Sequence, residues 1–428
     1  MAIDTALTGA LPARQSLSRV IVAATIGNVL EWFDFLVYGY FAVTIAEVFF
    51  PVGNPTVSLL ITFGTFGLSY LARPLGAVIV GTYTDRHGRK AGLTLSIGLM
   101  MVGTALMVVT PGYATIGLAA PLIIMLARLF QGFSVGGEFG SAVAFLVEHG
   151  SRRKGYAASW QWASTGIVSV IVALFGIVLT TSLTHGELVG WGWRIPYVFG
   201  LLIGPAGLYI RSKVVETAEF AAAKPHGMPI RELLRRQPVQ VILALGASIV
   251  SNASYYLLLY IPTYAVKTLH LQPSTGFIAT LVGGVALAAC SLIAGHMSDK
   301  TDRSRIMLWT AGLFLVTAYP AFWLMVAYPS VATAVIAVGW LNLVKGGYSG
   351  VLPSLMAERF PVETRAVGVA FSYSISVTIF GGFAPFFATW LIAKTGDPLS
   401  PSFYLMFTAL LSIAALLVIR RRRVYSES

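Results

Sequence analysis

The sequence predicts an all-α membrane protein whose twelve transmembrane helices form two related six-helix halves. Of its 428 residues, 56% are hydrophobic and only 11% are charged, and the mean hydropathy is +0.78. Because soluble domains carry about a quarter charged residues, this chain has too little charge to cover a soluble surface. Apolar runs of about twenty residues, long enough to cross a bilayer, recur throughout, and a charged motif repeats after half the chain length.

The apolar runs account for most of the chain. The first, from Val20 to Phe50, contains acidic residues and an Asn, and no small-residue cleavage site follows it. We therefore interpret it as a membrane span rather than a signal peptide. The predicted spans cover residues 19–47, 56–84, 91–111, 118–149, 155–182, 193–212, 237–267, 275–298, 306–327, 329–358, 366–393 and 401–420.

These spans divide the chain into two bundles with short extensions. The predicted units are an N-terminal tail at 1–18, a six-helix bundle at 19–212, a linker at 213–236, a second bundle at 237–420 and a tail at 421–428.

The positions of the basic residues predict the orientation. If the N-terminus is inside, 23 of the 29 Lys and Arg lie on the inner side, and only Arg194, Lys267 and Lys394 lie outside. By the positive-inside rule both termini are cytoplasmic, in a bacterial inner membrane. The net charge of +12 is then a signal of topology and not of a nucleic-acid partner.

Several classes of site have no support in the sequence. The single cysteine, Cys290, cannot form an internal disulfide, and the six His make no metal-ligand spacing. No GxxxxGK[ST] motif for ATP is present, so we expect an ion gradient as the energy source and no cofactor. A membrane enzyme would need a clustered catalytic site, and a receptor would need an output domain; we find neither.

A charged motif repeats with an offset of 214 residues. It reads Gly81-Thr-Tyr-Thr-Asp85-Arg86-His-Gly88-Arg89-Lys90 after the second span and Gly295-His-Met-Ser-Asp299-Lys300 after the eighth. Duplicated six-helix halves are typical of two-lobed transporters. The expected gating residues are Gly81, Asp85, Arg86, Gly88, Arg89, Gly295 and Asp299.

Six charges fall inside the spans, where a charge is costly and therefore functional by default. They are Glu31, Asp34, Arg73, Arg128, Glu138 and Lys345, three acids and three bases whose balance fits mutual pairing. In the first span Gly27, Glu31, Asp34 and Tyr38 share one helical face. Arg73 and Lys345 each lie about 18–20 Å before the charged end of their span, near the midplane.

Each of these features has a plainer alternative. Arg73, which precedes Pro74, could cap a kinked helix, and Lys345 could merely neutralise Asp34 or Glu31. The glycine face of the fourth span, which begins at Gly132, is better explained by helix packing. Aromatic residues of the seventh span could be packing residues instead of substrate contacts.

Several motifs resemble known families. The motif at 81–90 is similar to the signature loop of the major facilitator superfamily, and other segments are similar to its metabolite–proton symporters, which include carriers for citrate, 2-oxoglutarate, proline/betaine and shikimate. Those segments are Gly27-Asn28-Val-Leu-Glu31-Trp-Phe-Asp34-Phe, Arg73-Pro74-Leu-Gly76-Ala, Arg128-Leu-Phe-Gln131-Gly132-Phe-Ser-Val-Gly136-Gly137-Glu138, Trp193-Arg194-Ile-Pro196 and Phe380-Gly381-Gly382-Phe-Ala-Pro385. Asp302 departs from the pattern, because the second copy of the loop usually has glycine there.

The resemblance implies the major facilitator fold, with the first, fourth, seventh and tenth spans around the cavity. It implies a monomer that imports a small organic anion with protons by alternating access, citrate being favoured. A zwitterionic osmolyte, or another carboxylate such as 2-oxoglutarate or shikimate, is the alternative. The expected proton-coupling residues are Glu31, Asp34, Arg128 and Glu138, and the expected substrate-binding residues are Asn28, Arg73, Gln131, Asn252, Tyr256 and Lys345.

Overall fold

The computed structural model describes residues 17–87, 89–135, 138–150, 153–212, 230–361 and 364–427. Most of the predicted N-terminal tail, residues 213–229 of the predicted linker, and Gly88 lie outside this part of the chain. Within it the elements are helices and short connections. Eight of these helices are individually long and apolar enough to cross a membrane, or nine if the bent first pair counts as one span.

Helices occupy all twelve predicted spans in the described residues, and we number the spans accordingly. In chain order they are Leu17–Tyr40 with Ala42–Phe49, Pro55–His87, Arg89–Val109, Ala119–Val135 with Glu138–His149, Lys154–Ser182, Ile195–Ser212, Pro238–Leu259 with Ile261–Lys267, Pro273–Ser298, Arg303–Ala327, Val331–Ser349 with Leu352–Glu358, Arg365–Ser376 with Ala384–Thr395, and Ser400–Glu427. Short helices at Tyr113–Ile116, His185–Gly190, Gly192–Arg194 and Ile230–Arg236 lie between them.

Local sequence explains where several spans begin and end. Asn54 accepts hydrogen bonds from the second span's first free N–H groups, just before Pro55, which needs no partner for its nitrogen. Asp302 caps the ninth span in the same way by accepting from Ser304 N. At the end of the eleventh span Gly396 has φ +70°, a left-handed conformation that favours glycine.

Several spans are interrupted among the described residues, including three of those predicted to line a cavity: the first, the seventh and the tenth. The first bends by 67° at Phe41, and the seventh changes helix at Tyr260, two residues before Pro262. The tenth is broken next to Gly350. The eleventh contains a π-helical segment over Val377–Gly382, a wide turn often found at functional sites. Where a helix is broken at membrane depth, some backbone N–H and C=O groups lose their regular hydrogen bonds. Such groups are tolerated only where they are buried in protein or line a cavity.

Glycines allow the two halves to approach closely. Gly166 of the fifth span faces Gly284 of the eighth, and a methyl group on Gly166 would lie 2.7 Å from the Gly284 carbonyl oxygen. Within the N-terminal half, Gly132 lies directly against the backbone of Ser69 in the second span. The structure therefore supports the packing interpretation for Gly132.

The halves touch at both ends of the bundle. At the end predicted to be cytoplasmic, the Asp299 carboxylate accepts the N–H groups of Gly155 at 2.6 Å and Tyr156 at 3.0 Å. At the opposite end the ring of Phe41 lies 5.3 Å from that of Phe277. Contacts between the halves at each end are the ones that an alternating-access transporter must break and re-form as it moves between its two open states.

The Asp299 contact leads to a test of gating. A carboxylate at a helix N-terminus accepts charge-assisted hydrogen bonds. Removing its charge costs about 1 kcal/mol, or about fivefold in the equilibrium between the closed and open forms of this end. We expect Asp299→Asn to slow turnover roughly threefold to tenfold while the substrate dissociation constant stays within about twofold. Asp397→Asn, in a local turn at the opposite end, is the matched control. A tenfold change in affinity with normal turnover would contradict the gating role.

Candidate functional site

A buried relay of hydrogen bonds starts at Asp34 in the first span. Asp34 is only 4% exposed, and its Oδ2 accepts a 2.5 Å hydrogen bond from the Thr104 hydroxyl of the third span. Its Oδ1 lies against Gly200 of the sixth span and has no hydrogen-bond partner among the described residues. The N-terminal half therefore encloses one carboxylate that is only partly satisfied.

The relay continues from Thr104 to Arg128. Gln131 Nε2 donates to Thr104 Oγ1 at 3.2 Å, and Gln131 Oε1 accepts from an Arg128 Nη at 2.7 Å. The second Nη of Arg128 donates to Ser69 Oγ at 3.2 Å. Gln131 and Thr104 thus separate the acid from the base, so a change of charge at Asp34 reaches Arg128 through three hydrogen bonds.

The Thr104 hydroxyl has one proton and two acceptors for it. Besides Asp34, the Met100 carbonyl oxygen lies 3.0 Å away. When Asp34 is ionised, Thr104 donates to it; when Asp34 carries a proton, the carboxylic acid can donate and Thr104 can turn to Met100. The geometry accommodates both states of the acid without moving a helix.

The Arg73 guanidinium is held by aromatic faces. It is 2% exposed and lies 4.2 Å from the ring centre of Tyr70, 5.0 Å from that of Phe35 and 5.3 Å from that of Trp32. Its Nε and one Nη lack hydrogen-bond partners in the described part of the chain. Because the second span runs as one helix through Pro74, Arg73 does not cap a broken helix. It presents unpaired donors.

Lys345, in the tenth span of the C-terminal half, is also held by aromatic faces. It is fully buried, and its Nζ lies 3.8 Å from the ring centre of Trp162 and 4.7 Å from that of Tyr255. The only hydrogen bond seen for this ammonium among the described residues runs to Ser349 Oγ at 3.3 Å. No contact between Lys345 and Asp34 is seen among the described residues, and the alternative in which Lys345 neutralises Glu31 stays open.

Three aromatic rings lie where the halves meet, and the ring of Tyr255 is nearly perpendicular to each of the other two. Trp32 meets Tyr255 at 84° with ring centres 6.2 Å apart, and Trp162 meets Tyr255 at 77° and 5.5 Å. We call Trp32, Trp162 and Tyr255 the aromatic box. Arg73 lies over its Trp32 face, and Lys345 lies over its other two members.

Cations outnumber acids among the most deeply buried charges of the described residues. Three cations (Arg73, Arg128 and Lys345) and one acid, Asp34, are less than a tenth exposed. Aromatic faces lie against all three cations, and their pairing with Glu31 or Glu138 stays a prediction. A desolvated cation–π contact contributes about 2 kcal/mol, less than the several kcal/mol that a buried charge costs. The difference favours binding of an anion.

Other predicted residues hold the bundle together. Asn28 donates to Ser164 Oγ at 2.5 Å and accepts from Gln161 Nε2 at 2.8 Å, which ties the first span to the fifth. Asn252 donates to Ser376 Oγ at 3.1 Å and has an unpaired Oδ1, judged on the described residues. Tyr256 packs its ring 5.1 Å from that of Tyr70. Asn252 therefore keeps an atom for a ligand, whereas the Asn28 amide is already engaged.

Some predicted residues remain without a described environment. Glu31 lies half-buried on the first span. The side chains of Glu138, Asp85, Arg86 and Arg89 lie outside the described part of the chain, as does Gly88. Gly81 lies within the second-span helix, and Gly295 lies where the eighth span meets Ser159 of the fifth. Their proposed roles in coupling and gating stay predictions.

Comparisons with known proteins identify the family of this chain. The family model described as Major Facilitator Superfamily matches residues 24–371. The chain belongs to the Major Facilitator Superfamily. The fold agrees, because a solved structure of the proton:xylose symporter XylE bound to 6-bromo-6-deoxy-D-glucose superposes with a TM-score of 0.75, at 16% identity and 95% coverage of each chain.

Closer relatives fall into two groups. A citrate-proton symporter of Klebsiella pneumoniae is 36% identical over 407 residues, covering 94% of this chain and 91% of that protein. A proline/betaine transporter of Salmonella typhimurium is 32% identical over 416 residues, covering 93% and 82%. These superfamily relatives are transporters, which confirms the prediction of a multi-pass membrane transporter and not an enzyme.

Proposed function

We propose that this superfamily member is a proton-coupled symporter that imports a small carboxylate, with citrate as the first candidate. The observation that carries the proposal is the excess of buried cations, since three cations and one acid are less than a tenth exposed among the described residues. Two of them, Arg73 and Lys345, come from opposite halves and face the same aromatic box. A substrate with two or three carboxylates could neutralise both at once.

The same observation separates the two groups of relatives. Their identities, 36% and 32%, are too similar to decide between citrate and proline/betaine. A zwitterionic osmolyte has one carboxylate and brings a cation of its own. Because the cations of Lys345 and Arg73 already lie against the box, a third cationic group there meets like charges. Charge complementarity therefore favours an anion with more than one carboxylate.

Proton coupling is assigned to the relay from Asp34 to Arg128. Protonation of Asp34 frees Thr104 to turn to Met100 and changes the charge that Arg128 experiences. The attraction between Arg128 and Asp34 is then weaker, and Arg128 can attract an anionic substrate instead. In this scheme proton and anion enter the bundle from outside, and the Asp299 contact at the cytoplasmic end breaks afterwards to release them.

The proposal includes a membrane location, an assembly state and an energy source. We place the transporter in the bacterial inner membrane as a monomer, with both termini in the cytoplasm. The proton gradient is the energy source, and no further cofactor is required.

The test is uptake of labelled compounds by proteoliposomes under an imposed pH gradient, acidic outside. We expect citrate to accumulate at least about tenfold over a sample without the gradient, and proline and glycine betaine to stay near the background of empty liposomes. The panel includes 2-oxoglutarate and shikimate. Accumulation of proline or glycine betaine, with no accumulation of citrate, 2-oxoglutarate or shikimate, would reject the proposal.

A further inference from the structure

We infer that Lys345 sets the substrate class of the central site by occupying the aromatic box, so that quaternary ammonium groups are excluded. The carboxylate side of this inference rests on the proposed function. The exclusion side concerns only the box and can be tested by itself.

The box has the form of a cation-binding cage. Rings that meet at right angles around a positive charge are the arrangement by which proteins recognise choline-like ligands. Trp162 and Tyr255 meet at 77°, and Trp32 meets Tyr255 at 84°. The ammonium of Lys345 already lies 3.8 Å from the Trp162 ring centre. A trimethylammonium group would compete with this tethered ammonium for the same ring faces.

The backbone around Lys345 fixes the direction of its side chain. A methyl group on Gly346 would lie 2.8 Å from Cβ of Cys290 in the eighth span, and one on Gly347 would lie 2.9 Å from the Thr310 methyl of the ninth. These two glycines pack the tenth span against its neighbours. Lys345 is therefore directed away from those spans and towards the fifth and seventh, where Trp162 and Tyr255 are.

Two substitutions separate charge from occupancy. Lys345→Met removes the charge but keeps an unbranched side chain in the box. Lys345→Ala removes both and leaves the ring faces open. We expect both variants to lose citrate affinity by about tenfold to a hundredfold, because each lacks the charge-assisted hydrogen bond. Only Lys345→Ala should gain affinity for glycine betaine and tetramethylammonium, by about tenfold or more.

The experiment measures equilibrium binding of labelled citrate and labelled glycine betaine to purified protein, after a melting assay has shown each variant to be folded. Adding Trp162→Leu to Lys345→Ala should abolish the gained betaine binding. Lys267→Ala, an exposed lysine at the end of the seventh span, is the control and should bind citrate like the wild type. If Lys345→Ala does not fold, Lys345→Ser carries the same expectation.

A wild-type measurement decides the matter even without variants. Glycine betaine in hundredfold excess should not displace citrate from the wild-type protein, and displacement would overturn the inference. An equal gain of betaine binding in Lys345→Met and Lys345→Ala would also overturn it. If the wild type binds no carboxylate, the proposed function fails, yet betaine binding by Lys345→Ala would still support the role of Lys345 in the box.

Discussion

Replacing Asp34 with Asn is expected to abolish proton-driven accumulation of substrate, with a fall of at least about a hundredfold, while exchange of substrate across the membrane continues. The amide has nearly the same size and can still accept from Thr104. It cannot take up and release a proton, so the relay to Arg128 stays in one state. Exchange requires no net proton movement and therefore should survive.

The comparison is between pH-driven uptake and counterflow in the same proteoliposomes. Glu47→Gln, which changes an exposed acid paired with His185, serves as the control and should leave both rates unchanged. If Asp34→Asn accumulates substrate like the wild type, the coupling role passes to Glu31 or Glu138.

Replacing Arg128 with Gln is expected to weaken citrate binding and to abolish transport. Arg128 is fully buried, donates to Gln131 and Ser69, and lies 4.5 Å from the Tyr38 ring centre. A glutamine lacks the charge that would attract an anionic substrate. A charge-assisted hydrogen bond to the substrate contributes roughly 1.5–3 kcal/mol, so its loss predicts a decrease in citrate affinity of about tenfold to a hundredfold.

A second substitution shows whether charge alone is sufficient at this position. A lysine keeps the charge of Arg128. Its single ammonium group lacks the two Nη groups by which Arg128 reaches Gln131 and Ser69 together. Arg128→Lys should therefore retain part of the citrate affinity and lose coupling, as seen by titration calorimetry and by uptake. Wild-type binding and uptake in Arg128→Gln would show that the relay has no part in transport.

The sequence predicted the fold well because span length and charge placement are local properties. Twenty apolar residues, a positive-inside bias and a repeated loop suffice to predict a two-half bundle. The midplane charges Asp34, Arg73, Arg128 and Lys345 were also recognisable, because charges at bilayer depth are rare. All four are buried in the structure.

The partners of those charges were not predictable. Helical periodicity assigns a residue to a face of its own helix but does not say which helix lies opposite, so it could not predict the aromatic faces that lie against Arg73, Arg128 and Lys345. Thr104, Ser69 and Trp162 carry no signal that sets them apart from ordinary membrane residues. Thr104 also bonds its own helix at Met100, as many membrane threonines do.

The central claim, that one protein couples an anion to protons, is tested most directly by recording proton movement during transport. Purified protein is placed in liposomes that contain a pH-sensitive dye, and citrate is added outside without a pH gradient. The account predicts acidification of the interior that depends on citrate, is absent with glycine betaine, and disappears in Asp34→Asn. Entry of labelled citrate with no change in internal pH, or acidification unaltered in Asp34→Asn, would contradict it.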